Sequence, residues 1–164
     1  MVRGEGFLEW PSHLPRFELH MSTSFADFNR GLMADLRANG GEATAGPFKG
    51  RDVLILTTRG AKSGELRESP LVYSRDGKHY VIVASKGGAP THPSWYHNIV
   101  AHPEVTIEVG GERFRARADV PDGDEYERLY NQHASINPTF HEYRKKTSRK
   151  IPVVVLESIQ NTDG

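Results

Sequence analysis

Val105-Thr-Ile-Glu-Val109-Gly110-Gly111-Glu112-Arg-Phe-Arg-Ala-Arg-Ala118 is two short alternating runs around a pair of glycines. Alternation of apolar and polar residues is the period of a strand, and a two-residue Gly-Gly turn reverses the chain into a hairpin. A turn at 110–111 sets Ile107 opposite Phe114 and Val105 opposite Ala116 on one face. It sets Glu108 opposite Arg113 on the other. Apolar then meets apolar and opposite charges meet, as cross-strand neighbours require. Arg113, Arg115 and Arg117 all point outward and read as a solvated face.

The same signals recur around this hairpin. Residues 53–58 and 80–84 are apolar on both faces, which marks strands covered on both sides. Residues 66–73 form a further strand. Pro70 within it removes a ladder donor and points to an edge or a bulge. Asp76-Gly77 predicts a two-residue hairpin that puts Tyr73 opposite Tyr80 and Leu71 opposite Ile82. Residues 151–156 are a last strand. Helical spacing places Phe25, Phe28, Leu32 and Leu36 on one face of a helix over 24–39. Ser24 would cap it, Asn29, Arg30 and Arg37 would lie on the far side, and Asn39-Gly40-Gly41 would end it. Further helices are expected over 93–101 and 122–133. Pro138 opens a short turn that puts Phe140 and Tyr143 on one side.

About six mostly antiparallel strands and two or three helices predict a mainly β fold, a small closed or split β-barrel with flanking helices. Residues 1–49 read as an arm and a helix, 50–157 as the barrel, and 158–164 as a tail. The arm, 1–21, has no period, but Phe7, Leu8, Trp10, Leu14 and Phe17 suggest that it docks.

The length, 164 residues, is that of one domain with a sizeable core. The absence of cysteine excludes disulfides, thiolate metal sites and cysteine nucleophiles. A net charge of zero argues against a general nucleic-acid binder. No apolar run reaches the ~18 residues of a membrane span. Glu5, Glu9 and Pro11 stand where a secretion signal needs an apolar stretch, so a cytoplasmic protein is expected.

Two strands run into Gly-rich loops that carry cations. Lys62, Ser63 and Arg67 follow Gly60; Ser85, Lys86, Gly87 and Gly88 follow Ala84. Glycine lets backbone N–H groups converge on a ligand, and neighbouring cations favour an anion, phosphate above all. Two such loops at the ends of neighbouring strands would form one rim. Pro93-Ser94-Trp95 follows the second loop at a helix start, a further positive end with an aromatic beside it. The phosphate-loop order Gly-x-x-x-x-Gly-Lys-Ser is absent, as are Gly-x-Gly-x-x-Gly and Gly-x-Ser-x-Gly. His92, His97 and His102 are five apart, off the zinc spacings, and no metal site is expected. A phosphate-bearing cofactor with a flat ring suits what remains: the loops with Trp95, Tyr96, Phe140 and Tyr143.

Residues 54–67, Pro70-Leu71, 83–90, Pro93-Ser-Trp-Tyr-His-Asn98, 101–105 and the closing Ile151-Pro-Val-Val-Val155 carry a resemblance. Together and in this order they resemble the deazaflavin-dependent nitroreductase family, an actinobacterial group of split β-barrel oxidoreductases using coenzyme F-420. The resemblance implies hydride transfer from reduced deazaflavin to a quinone, a nitroaromatic or a similar acceptor. It implies the anionic tail on Lys62, Ser63, Arg67 and Lys86. It implies the ring along Pro70, Ala84, Ser85, Gly87 and Gly88, near Trp95 and Asn98. Ser85 and Tyr143 would donate hydrogen bonds to the acceptor, which Val72, Phe140 and Tyr143 would line. Ala61 stands where the family often has arginine. Asn137, Phe140 and Val72 stand where the family's best-known nitroreductase has tyrosines.

The loops alone also accept FMN, and a non-catalytic cofactor-binding protein fits them too. The basic run 144–150 would suit weak contact with anionic lipid at the inner face of the cell membrane. Both a monomer and a homodimer are compatible with such a barrel.

Overall fold

The computed structural model describes residues 25–159. The expectations for the 1–21 arm, for Ser24 as a cap and for the last residues of the tail lie outside these. In chain order the elements are α1 (Phe25–Ala38), β1 (Val53–Arg59), β2 (Leu66–Val72), β3 (Ser74–Asp76) and β4 (His79–Val83). A single 3₁₀ turn (Lys86–Gly88) follows, then α2 (Ser94–Ala101), β5 (Glu104–Val109), β6 (Glu112–Asp119), α3 (Gly123–Ile136), α4 (Thr139–Lys146) and β7 (Val153–Ser158).

The seven strands form one antiparallel sheet in the order β2-β1-β5-β6-β7-β4-β3. Its two edge strands, β2 and β3, are consecutive in the chain and only Tyr73 separates them. The sheet must therefore curl until its edges meet, which makes it a split barrel. The β5–β6 hairpin has the register read from its glycines: Ile107 faces Phe114, Val105 faces Ala116 and Glu108 faces Arg113. Arg113, Arg115 and Arg117 are exposed and pair with Glu108 and Glu104.

The hairpin expected at Asp76-Gly77 is different. Asp76 pairs with His79 and Arg75 with Tyr80, so Gly77 and Lys78 make the turn. Asp76 is held on its strand by Arg128 of α3, whose two terminal nitrogens reach its carboxylate at 3.1 and 3.0 Å. Leu71 pairs with Leu54 of β1, not with Ile82. The run 66–76 bends at Tyr73, whose N–H donates to the Asp52 carbonyl at 3.1 Å, and so serves two ends of the sheet. That bend is why six expected strands become seven. Tyr73 and Tyr80 still meet edge to face, with ring centroids 5.3 Å apart. Pro70 lies on the edge strand, as its missing donor requires.

The barrel interior and the space under α1 form one apolar cluster, with Leu54, Leu56, Ile82, Trp95, Ile107 and Val154 among its members. Leu32, Met33 and Leu36 bring α1 onto it. Burying each leucine contributes roughly 1.5–3 kcal/mol. The inward stripe of α1 is Asn29, Leu32, Met33 and Leu36, so Asn29 is buried where an outward position was expected. Phe25 and Phe28 lie at the margin, half-buried. Arg37 is exposed but bridges α1 to the barrel, with bonds to Glu108 at 2.8 and 2.7 Å and to Glu68 at 2.8 Å. Its hydrogen bonds, then its charge, hold the Glu108 carboxyl below the usual carboxylate range. Past α1, a Cβ on Gly41 would stand 2.6 Å from the Gly110 nitrogen. The end of the helix thus packs backbone to backbone on the β5–β6 turn.

A second cluster joins α3 and α4 to the outer face of β4 and β7 through Val81, Val83, Val153, Tyr126, Leu129, Tyr130, Phe140 and Tyr143. This is why 80–84 is apolar on both faces. The Tyr126 hydroxyl donates to the Ile151 carbonyl and that of Tyr130 to the Phe140 carbonyl, both at 2.7 Å. Between the clusters His133 is fully buried, with Nδ1 2.8 Å from the Ser74 hydroxyl. Burial, then the charge of Arg51, lowers its pKa to about 4.

In the unfolded chain this ring titrates near 6.5 and in the fold near 4. The unfolded state therefore binds the proton first, and stability present above pH 6.5 is lost as pH falls toward 4. Denaturant titrations at pH 8 and pH 5 should differ by about 2 kcal/mol from this group. His133→Gln should flatten that difference; an unchanged slope in the variant would assign it elsewhere.

Candidate functional site: two glycine loops joined by a helix

Loop one connects β1 to β2 and closes on itself. Gly60 donates to the Glu65 carbonyl at 2.7 Å and Gly64 to the Gly60 carbonyl at 3.0 Å. The Ser63 hydroxyl accepts the Glu65 N–H at 3.1 Å, and Arg59 donates to the Gly64 carbonyl at 2.7 Å. A Cβ on Gly60 would sit 2.5 Å from the Ser63 hydroxyl, so a side chain there would displace that hydroxyl from the turn. Lys62, Ser63 and Arg67 are exposed. Arg67 lies 3.8 Å from the exposed Glu65, an ion pair of little strength. Lys62 has no ion-pair partner among the described residues.

Loop two follows β4. Ala84 donates to the Pro152 carbonyl at 2.9 Å, which fixes the start of the loop against the segment before β7. Ser85 is fully buried. Lys86, Gly87 and Gly88 then take φ values of +50°, +65° and +84°. Ser85, right-handed at φ −82°, followed by the left-handed Lys86, is the alternation that forms an anion nest, while the Gly88 N–H is spent on the Ser85 carbonyl. Lysine in that region costs about 1 kcal/mol or more, which rigid surroundings must offset. Gly88 fits because a Cβ there would stand 2.9 Å from Cβ of Lys146 and 3.0 Å from the Tyr143 carbonyl. Lys86 donates to the Thr91 hydroxyl at 3.1 Å.

The loops do not end neighbouring strands, as the sequence had suggested. β1 and β4 are separated by β5, β6 and β7. Closure of the sheet and α2 bring them together. α2 leaves loop two at Ser94, and four residues on its Asn98 reaches loop one. The Asn98 carbonyl oxygen accepts the Ala61 N–H at 2.9 Å, and its amide nitrogen donates to the Thr58 hydroxyl at 3.0 Å. Asn98, which the resemblance puts near the ring, spends both ends of its amide on the protein. Trp95, 2% exposed, is a core residue beneath this junction.

Ala84, Ser85, Gly88 and Pro70 are buried, and Lys86 and Gly87 are half-buried. Phe140 and Tyr143 pack edge to face, 5.1 Å between centroids, in the second cluster. Val72 belongs to the barrel core and is apart from them. Tyr143 touches loop two through its backbone beside Gly88.

One residue of this region was not singled out by the sequence. Arg149, within the basic run, points inward. Its Nε donates to the Ala89 carbonyl at 2.8 Å, and Nη2 donates to the carbonyls of Ser85 and Ala84 at 2.8 and 3.2 Å. Nη1 meets Nδ1 of His92 at 2.8 Å. Burial lowers the Arg149 pKa from its ordinary value. Burial, then the charges of Arg149 and His97, also lower that of His92. No spacing rule separates one inward arginine from a solvated run. The rest of the run is engaged as well. Arg144 reaches Glu127 at 3.0 and 3.1 Å and stacks on Tyr130, Lys150 covers Tyr126, and Lys145 lies 3.6 Å from Glu142. No group of three metal-ligating side chains occurs among the described residues, and no described helix is long and apolar enough to cross a membrane.

The described residues thus form a split barrel with two cationic glycine loops joined by one helix. Comparison with known proteins makes this specific. The F420H(2)-dependent quinone reductase family matches residues 29–158, and the chain belongs to that family. An F420H(2)-dependent quinone reductase of Mycobacterium tuberculosis is 47% identical over 106 residues, 63% of this chain and 71% of that protein. A solved F420-H2 dependent reductase (FDR-A) is 40% identical, with a TM-score of 0.61 over 65% of this chain and 95% of its own. A structure described as a domain-swapped dimer is 35% identical, with a TM-score of 0.63 over 82% of this chain and all of its own.

The amide of Asn98 makes loop one a testable device. Asn98→Ala strands the Ala61 N–H and the Thr58 hydroxyl and should cost about 1–3 kcal/mol. Hydrogen exchange of residues 60–65 should quicken while the β5–β6 hairpin keeps its protection. Equal exchange in both proteins would show that loop one holds itself.

Proposed function

We propose that the protein reduces a quinone with the hydride of a reduced deazaflavin held on loops one and two. The single observation that carries this reading is α2, which ties two cationic glycine loops into one site in a chain of this family. The donor set fits a ligand with an anionic tail. Lys62 and Lys86 carry no ion pair among the described residues, and the right-handed Ser85 followed by the left-handed Lys86 has the backbone alternation of an anion nest. The bound cofactor supplies a hydride and, as a deazaflavin, favours two-electron transfer.

Lys62, Ser63, Arg67 and Lys86 would hold the phosphate and carboxylate tail by charge-assisted hydrogen bonds. Pro70, Ala84, Ser85, Gly87 and Gly88 would form the ring seat, where missing side chains let backbone approach the ring. Trp95 and Asn98 would act from behind, as packing and as the strut of loop one. Reducing a quinone to a hydroquinone takes one hydride and one proton. In this reading Ser85 and Tyr143 would donate hydrogen bonds to the acceptor oxygen as charge develops on it. Such a donor is worth roughly 10²–10³ in rate. Of the lining that the resemblance implies, Phe140 and Tyr143 pack together and would offer a quinone ring an aromatic face, while Val72 lies apart in the barrel core. FMN is compatible with the charges of the loops, and family membership favours deazaflavin over it.

The test is fluorescence titration with oxidised deazaflavin, then turnover of reduced deazaflavin with a short-chain quinone. Lys62→Ala and Lys86→Ala should each weaken cofactor binding about ten- to a hundredfold, the worth of one hydrogen bond to a charged group. Wild-type affinity in both variants would sink the assignment of the tail.

A further inference from the structure

Loop two holds a lysine in a conformation that lysine disfavours, so its surroundings must impose the shape. Hydrogen bonds within the loop are few: Gly88 to the Ser85 carbonyl at 2.9 Å and Ala89 to the Lys86 carbonyl at 3.1 Å. What grips it from outside is Arg149. Three loop carbonyls and one loop imidazole converge on a single guanidinium, whose planar fork presents its donors in fixed directions. The carbonyls belong to Ala84, Ser85 and Ala89 and so bracket the left-handed turn on both sides. Arg149 sits four residues before β7, and the Pro152 carbonyl of the same segment takes the Ala84 N–H. The loop is thus clamped from one short stretch of chain.

We propose that Arg149 is the positioning residue of the cofactor site: its guanidinium sets the backbone on which Ser85 and Lys86 are presented. The inference rests on the reading of loop two as part of the deazaflavin site. The arginine acts through the loop, and its charge, already shared among carbonyls, is not one of those that hold the anion. The contact with His92 adds a pH dependence. Arginine only donates, so Nδ1 of His92 must accept, and the ring must be neutral. His92 is faced by Arg149 from the segment before β7, and by Tyr96 and His97 from α2, with ring centroids at 4.8 and 5.7 Å. A proton on His92 removes the lone pair and sets two cations together. The clamp therefore loosens on the acid side of the ordinary histidine range.

The experiment compares wild type, Arg149→Ala, Arg149→Lys, His92→Asn and Lys86→Ala in the full chain. Deazaflavin affinity is measured by fluorescence between pH 5 and 8, and hydrogen exchange is measured without cofactor. Arg149→Ala should speed exchange of residues 84–92 while β1 and β5 stay protected. It should also weaken binding about ten- to a hundredfold, the range for groups that orient a ligand's partners from behind. Arg149→Lys, with one ammonium for four acceptors, should fall between the two. His92→Asn keeps an acceptor and cannot titrate, so it should bind at pH 7 as wild type does but lose less affinity toward pH 5. Unchanged exchange of 84–92 in Arg149→Ala overturns the proposal. So does unchanged affinity in that variant when Lys86→Ala weakens binding. Unchanged affinity in both Arg149→Ala and Lys86→Ala would instead remove loop two from the site, and the proposal with it. Should Arg149→Ala fail to fold, wild-type exchange and affinity in Arg149→Lys overturn it.

Discussion

The structure depends on one bend. The run 66–76 is a single extended segment broken at Tyr73, and its two halves are the opposite edges of the sheet. A sheet whose first and last strands are separated by one residue cannot stay open. The N–H of Tyr73 bonds the Asp52 carbonyl at the foot of β1, so the bend is fixed to the sheet it closes. Closure leaves the barrel without a long free edge, which in an open sheet would invite pairing with other chains. It also brings β1 and β4 from far apart in strand order to one side of the molecule, where α2 can span them.

Function follows from that geometry. Each glycine loop alone would be a turn with a lysine on it. α2 begins at one and reaches the other through Asn98, while Trp95 of the same helix is packed into the core. Core packing thus sets the distance between the two loops. On the far side α4 rests on Gly88, and the segment before β7 contributes the arginine that holds the loop carbonyls. Of the cations Lys62 and Arg67 are exposed and Lys86 is half-buried, above a packed layer of chain. An anionic cofactor that must be held in one pose during hydride transfer needs this combination.

Much of this was legible in the sequence. The register of the β5–β6 hairpin followed from alternation and two glycines, because cross-strand pairing is local and has a fixed period. The edge position of β2 was one of the two readings, edge or bulge, that Pro70 allowed. The loops and their cations were visible as residue types, and it was their occurrence twice that marked them. What was not legible is non-local. The Gly77-Lys78 turn depends on Arg128, fifty residues away, holding Asp76 on its strand. The partner of β2 was misjudged because a bend at Tyr73 has no local signature. Asn29 was placed outward by its polarity, although the packed stripe runs through it. Arg149 and His133 carry no sequence signal at all: one sits in a basic run, the other on a helix, and only folding turns them inward.

The central claim, that one ligand is gripped by both loops at once, has a direct measurement. Hydrogen exchange of the wild-type protein is followed with and without saturating oxidised deazaflavin. The account predicts added protection in residues 60–67 and 84–92 together, and none at the β5–β6 turn. Saturable binding that protects only one loop, or a region distant from both, would contradict it.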